Sequence, residues 1–273
     1  MCQVPQTRRP AGLDSLTFSH EVERVKGEVT DSPVLEGTLR AMSRGRTYAI
    51  VGGIAAVIAG LLIAVSVVGS GDEKPTPPAT VSGADTEALL AGIPQQGAAL
   101  GRKDAPVTLV EFADLQCPFC GEWSRSAFPE IVRDYIRPGK VRMVFNGLTF
   151  IGPDSEQALR FAYAAGLQGK LWHTVDLLYA NQGEENSGWV TDEFLAAVGA
   201  AIPGFDHQQA VAAESSSQVD ARIQAASDSA TALDVRSTPS FAAGKTGGEI
   251  GLVSLPSLTA DALRPALDSL LAK

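Results

Sequence analysis

The chain has 273 residues, 45% of them hydrophobic, enough for one substantial core. A formal net charge of −9 excludes the basic surface that phosphate-backbone binding requires, so nucleic acid is not a partner. Three cysteines, Cys2, Cys117 and Cys120, are too few for a disulfide-stapled scaffold.

Residues 1–46 hold seven Lys/Arg against six Asp/Glu, so the acidity belongs to the remainder. Up to position 41 no hydrophobic period is sustained, which reads as a soluble, unstructured tail. Residues 1–46 read as a cytoplasmic tail, and Met42, followed by Ser-Arg-Gly-Arg and an apolar stretch, reads as the native start, which leaves the residues before it untranslated. Cys2 is then a poor functional candidate.

Tyr48–Gly69 carries no charge. As a helix its length is about 33 Å, enough for a hydrocarbon core of about 30 Å. A single membrane anchor is therefore expected at 47–70. Arg40, Arg44 and Arg46 before it leave the N-terminus in the cytoplasm and place all that follows outside. A cleaved signal peptide is the alternative, but the run is long and no A-x-A site follows. Gly52, Ala56, Gly60 and Ala64 recur every four residues, a stripe that would suit helix pairing as well as it suits chance.

Residues 71–96, opening GDEKPTPPATVSG, read as an extended linker with a short helical turn at Thr86–Leu90. The globular domain is expected at 97–273. Val107–Cys120, VTLVEFADLQCPFC, then runs from a buried strand through a polar turn to a helix that begins at the cysteines. That helix continues through Trp123, Phe128, Ile131, Val132 and Tyr135, kinked at Pro129 and stopped by Arg137-Pro138-Gly139. Lys140–Asn146 alternates as a second strand. From about 154 to 232 the pattern is helical, broken by a loop at Asn181–Gly188. Such a length exceeds one crossover and predicts an inserted helical subdomain. Ser240–Ala243 and Gly247–Leu252 read as strands, and Thr259–Leu271 as a closing amphipathic helix. The order is β-α-β, helical insert, β-β-α, an α/β class.

The two close cysteines either react or bind metal. A structural zinc usually takes four Cys/His ligands, and the domain adds only His173 and His207, neither in ligand-like spacing. Redox chemistry is the better reading. A thiol at a helix N-terminus faces unpaired N–H groups that favour its thiolate, the usual layout of a thioredoxin-like C-x-x-C centre. Glu111 is either a solvated charge on an edge strand or, with Val110 and Phe112 flanking it in an apolar run, a buried acid whose pKa burial would raise; the flanks favour the second. Asp114 reads as a turn or capping residue, and Trp123, Trp172 and Trp189 as core or groove aromatics. No nucleotide or metal fingerprint is present, so no cofactor is expected.

Cys117-Pro118-Phe119-Cys120 after VEFADLQ, answered downstream by VRSTPSF (Val235 to Phe241), resembles the DsbA-type thiol–disulfide oxidoreductases. The nearest likeness is to their membrane-anchored bacterial members, with IPQ-x-G-x-x-LG, GWVT and TP-x-F stretches also shared. The resemblance runs from about Leu90 to the C-terminus. It implies a thioredoxin-like fold with an inserted helical subdomain and a protein disulfide oxidoreductase as activity. Cys117 would be the exposed nucleophile and Cys120 the more buried resolving thiol. Pro239 would be a cis-proline that lets Thr238 pair with an extended substrate, and Glu111 a proton relay to Cys120. Pro118 and Phe119 would tune the thiolate. Strongly oxidising members carry His where Phe119 stands, so a weaker oxidant is expected. Phe119 also suits substrate contact. The implied partners are reduced exported or secreted proteins and a quinone-linked membrane reoxidase, DsbB- or VKOR-like. A disulfide isomerase or reductase, or a redox-inert client-binding module, are the competing readings.

Overall fold

The computed structural model describes residues 81–272. The tail, the anchor at 47–70 and residues 71–80 of the linker lie outside the described residues. Among the described residues, no helix is long and apolar enough to cross a membrane.

The fold is built on a six-stranded sheet, ordered β1-β2-β4-β3-β5-β6. Its centre is β3 (Val107–Ala113), buried along its whole length. A strand covered on both faces needs no polar alternation, which is why VTLVEFA reads as one apolar run. β3 pairs in parallel with β4 (Val141–Gly147) and antiparallel with β5 (Ser240–Lys245), which in turn carries β6 (Ile250–Val253). Val107, Leu109 and Ala113 join the larger core, while Val110 and Phe112 enter a smaller one with Leu148, Val235 and Ala242. The period of two thus puts Glu111 on the larger-core face, with Phe145 and Phe241 opposite it in register.

The fold begins earlier than position 97, which corrects the linker assignment for its last residues. Helix α1 (Ala84–Leu90) buries Thr86 and Leu90. The hairpin β1 (Gln95–Gln96) and β2 (Ala99–Leu100) turns on Gly97, whose φ of 57° suits a two-residue loop. Strand β2 extends the sheet antiparallel to β4. Two-residue strands carry no periodicity, and the β4 partner that joins β2 to the sheet lies more than forty positions downstream, so local pattern could not reveal them.

After the cysteines the backbone stays helical through Ala127 and Val132, as the expected kinked helix requires, but in three segments. α2 (Pro118–Ser126) ends at Ala127, α3 (Phe128–Ile131) follows, and a single π-helical turn spans Val132–Ile136. Pro129 lies in the first turn of α3, where its missing N–H costs nothing. The insert comprises α4 (Pro153–Gly166), α5 (Leu171–Ala180), α6 (Asp192–Ala200), α7 (His207–Ala213) and α8 (Ser217–Ala232), and α9 (Ala260–Leu271) closes the fold. Side chains cap α6 and α9: Thr191 Oγ1 accepts from Phe194 N at 3.1 Å and Thr259 Oγ1 from Ala262 N at 3.3 Å. Insert and sheet share the larger core, with Trp123, Trp172 and Trp189 all buried in it.

Candidate active site

Cys117 is the N-cap residue of α2, its φ of −67° and ψ of 119° extended, with Pro118 in the first helical turn. Both cysteines are free thiols. Backbone N–H groups of Phe119 and Cys120 favour the Cys117 thiolate, as expected at a helix start. The largest contribution comes from the Cys120 thiol, which hydrogen-bonds to the Cys117 sulfur, and a hydrogen bond from Thr238 adds to it. In the thiol form, Cys117 Sγ donates to the Thr238 carbonyl at 3.4 Å, a contact that favours the proton, as does burial. The stabilising contacts win, and the Cys117 pKa falls from 9.0 to about 6. Cys120 moves the other way. Its sulfur is buried, and Cys117 and Glu111 oppose a second negative charge there, so its pKa rises well above the ordinary thiol value.

The expectation that Cys117 is exposed is corrected. It is only 5% exposed, with the Thr238 carbonyl against its sulfur. Exposure falls instead on Pro118 and on Phe119, whose ring is 60% exposed. The Thr238–Pro239 peptide is cis. Beyond Pro239 a groove of about 350 Å³ is lined by Phe241, Leu252, Val253, Leu255 and Leu258 among others.

Glu111 is 2% exposed, and its Oε1 has no hydrogen-bond partner. Burial alone lifts its pKa from 4.5 to about 8, so it holds a proton at neutral pH. It is close enough to Cys120 to raise that thiol's pKa through charge. The residues expected to act together are thus gathered: Cys117, Cys120 and Thr238 in contact, and Glu111 beneath.

The turn before Cys117 is held by Asp114, as read from the sequence, together with residues that sequence reasoning missed. Asp114, fully buried, accepts from Gln116 N (2.9 Å), Ser155 Oγ (2.6 Å) and Ile151 N (3.1 Å), so its turn-forming role extends into α4. Tyr179 on α5 donates its hydroxyl to the Asp114 carbonyl at 3.2 Å. Gln116 and Asn186 pair reciprocally, Asn186 N to Oε1 at 2.6 Å and Gln116 Nε2 to Oδ1 at 3.3 Å. Gln182 Nε2 donates to the carbonyls of Leu115 (2.9 Å) and Cys117 (3.1 Å). Apart from the local Asp114–Gln116 bond, these are contacts across 37 to 70 positions, and their sequence signal was a polar loop at 181–188.

A thioredoxin family model matches residues 94–250. A probable disulfide bond formation protein D from Bacillus cereus is 34% identical over 144 residues, which is 52% of this chain and 67% of that protein. The Na(+)/H(+) antiporter NhaA 1 of Salinispora arenicola is 41% identical over 86 residues, 31% of this chain but only 13% of that longer protein. Among solved structures, oxidised BdbD from Bacillus subtilis has the same fold, with a TM-score of 0.56 at 21% identity, covering 66% of this chain and 98% of that one.

Proposed function

This chain belongs to the thioredoxin family and is a disulfide oxidoreductase of the DsbA type, and from that premise we propose that it introduces disulfides into exported proteins through the Cys117/Cys120 pair. The observation that carries the reading is the asymmetry of the two thiols. One sulfur has its pKa lowered to about 6, and the other, one turn along, is pushed far up.

In the oxidised enzyme a substrate thiolate attacks Cys117 Sγ and the Cys117–Cys120 bond breaks. Cys120 leaves and takes a proton, and a mixed disulfide joins the substrate to Cys117. A second substrate thiolate then attacks its own sulfur in that bond and releases Cys117 as a thiolate. Two electrons pass from substrate to enzyme, and the substrate gains its disulfide. Glu111 supplies the Cys120 proton, because it is protonated at neutral pH and lies beneath the leaving sulfur. Thr238 and the groove past Pro239 hold the substrate chain in extended form. Phe119 offers an apolar contact but no hydrogen-bond donor.

Reoxidation requires an electron acceptor, which we assign to a quinone-linked membrane reoxidase, DsbB- or VKOR-like. An anchor at 47–70 would keep the catalytic domain outside the cytoplasm beside it; the uncharged stretch Tyr48–Gly69 supports this. Protease accessibility of the domain in intact cells, against spheroplast lysates, tests that arrangement.

The activity test is oxidative refolding of a reduced substrate, together with the reduction potential of the pair against glutathione. A potential above about −200 mV with stoichiometric disulfide transfer is expected, whereas one near thioredoxin's roughly −270 mV overturns the oxidase reading.

A further inference from the structure

Cys117 presents its sulfur to the first N–H groups of α2, and that geometry depends on how the residues at the helix start are held. Two carbonyls bracket the N-cap, those of Leu115 and Cys117. Each is the negative end of a peptide dipole in the turn that presents Cys117. The helix itself satisfies only one: Gly121 N donates to the Cys117 carbonyl at 3.1 Å. The second donor on that carbonyl, and a donor for the Leu115 carbonyl, both come from the Gln182 amide, at 3.1 and 2.9 Å.

A second observation comes from α2. A Cβ at Gly121 would lie 2.4 Å from Gln182 Oε1 and 2.8 Å from Arg125 Nη1. The helix therefore lacks a side chain at the one place where the Gln182 amide lies against it. Arg125 in turn donates to the Tyr179 carbonyl at 2.6 Å, fastening α2 to the end of α5 just before Gln182. Glycine inside a helix costs stability relative to alanine, about 0.5–1 kcal/mol, so its use here trades helix stability for the approach of that amide.

We propose that Gln182 is a positioning residue for thiol–disulfide exchange: its amide fixes and neutralises the carbonyls of Leu115 and Cys117, so that the first N–H groups of α2 stay aimed at the Cys117 sulfur. The proposal rests on the Cys117/Cys120 reading above and deepens it. Gln182 touches no reacting atom in this arrangement and acts through the backbone. Without it, the two carbonyls in the turn that presents Cys117 are less compensated, the thiolate is less favoured, and the reduced pair loses stability relative to the disulfide. The enzyme becomes a weaker oxidant.

The experiment uses the full chain in detergent and two substitutions that reach the contact from opposite sides. Gln182→Leu removes the donor and keeps the bulk. Gly121→Ala leaves the amide in place but drives it off its carbonyls, while raising intrinsic helix propensity, so it serves as the test if Gln182→Leu fails to fold. Thiolate absorbance against pH and the equilibrium constant with glutathione are read for each. Both variants are expected to raise the Cys117 titration midpoint by about one pH unit. Both should make the pair about tenfold easier to oxidise, a fall of about 30 mV for a two-electron couple. The double variant should add little to either single change, since all three remove one interaction. Midpoints and constants within about twofold of wild type, even with a lowered melting temperature, overturn the proposal and reduce Gln182 to a brace. A wild-type pair that does not exchange with glutathione overturns the functional reading itself, a result visible before any variant is made.

Discussion

Replacing Glu111 with glutamine should remove a loss of fold stability that accompanies rising pH between 4.5 and about 8. In the folded chain burial lifts the Glu111 pKa from 4.5 to about 8. Below pH 4.5 the carboxyl is protonated in both folded and unfolded chains and contributes no pH dependence. Between 4.5 and about 8 the unfolded chain ionises it while the fold does not, so the stability present at low pH is lost as pH rises. The slope is about −1.4 kcal/mol per pH unit, or roughly 3 kcal/mol lost by pH 7. Glutamine fills the same space, stays neutral and removes that slope.

Cys117 has the opposite sign in the reduced protein. Its pKa is depressed from 9.0 to about 6, so the reduced fold gains stability as pH rises between those values. Over pH 6–8 the two contributions offset each other, and a reduced wild-type curve alone would look flat. The assay is therefore urea denaturation of the disulfide form, wild type against Glu111→Gln, from pH 5 to 8, where neither cysteine titrates. The difference in unfolding free energy between them should change by about 1.4 kcal/mol per pH unit in favour of the variant as pH rises. Parallel curves would refute the buried, protonated carboxyl and with it the proton-relay role.

Three further outcomes follow from the same geometry. Cys120→Ala should leave Cys117 able to form mixed disulfides that no longer resolve internally; its thiolate midpoint should rise above 6, because the Cys120 hydrogen bond is the largest stabilising contact, and thiolate absorbance reads this directly. Phe119→His adds a hydrogen-bond donor beside the sulfur and should raise the reduction potential by tens of millivolts in glutathione equilibrium, with roughly tenfold per 30 mV. Thr259→Ala removes the side-chain cap of α9, a group that makes no contact with the cysteines, and should cost about 1 kcal/mol in urea denaturation while the potential stays unchanged.

How much of this was legible in the chain depends on the range of each interaction. VTLVEFA announced β3 because a strand buried on both faces is apolar throughout, and C-P-F-C announced a helix start because proline suits its first turn. Glu111 stood out as the one charge in that run. The insert was readable as helices because Ala158, Phe161, Ala162 and Ala165 keep a helical period and bury the matching face. What failed was whatever depends on a partner distant in sequence. Gln95 looked like linker, yet its Oε1 accepts from Trp172 N at 3.1 Å and its Nε2 meets His173 Nδ1 at 2.9 Å, which fixes the first hairpin to α5. Cys117 was expected to be exposed because nothing local indicates that the Thr238 carbonyl, 121 positions away, lies on its sulfur.

The order of the pKa values also sets the direction in which the chemistry runs. A mixed disulfide on Cys117 can be broken by Cys120, returning the substrate unchanged, or by the substrate's second thiol, releasing a disulfide. Leaving is faster for the thiol of lower pKa, and Cys117, at about 6, is a good leaving group in either event. The choice falls to the attacker. Cys120 attacks only as a thiolate, and in the mixed disulfide, where Cys117 carries no charge and Glu111 is protonated, burial still opposes that charge and keeps the thiol's pKa up. An ordinary substrate thiol, with a pKa near 8.5, holds a few per cent thiolate at pH 7 and so has the larger reactive fraction. Burial of Cys120 therefore slows the backward step and leaves attack by the second substrate thiol untouched; the same high pKa makes Cys120 a poorer leaving group in the first exchange, so that step depends on a proton from Glu111. The same reasoning explains why a buried acid at the centre of the sheet is tolerated despite its cost of roughly 3 kcal/mol at pH 7. An apolar residue at 111 would stabilise the fold, but it would leave the departing Cys120 sulfur without a proton source.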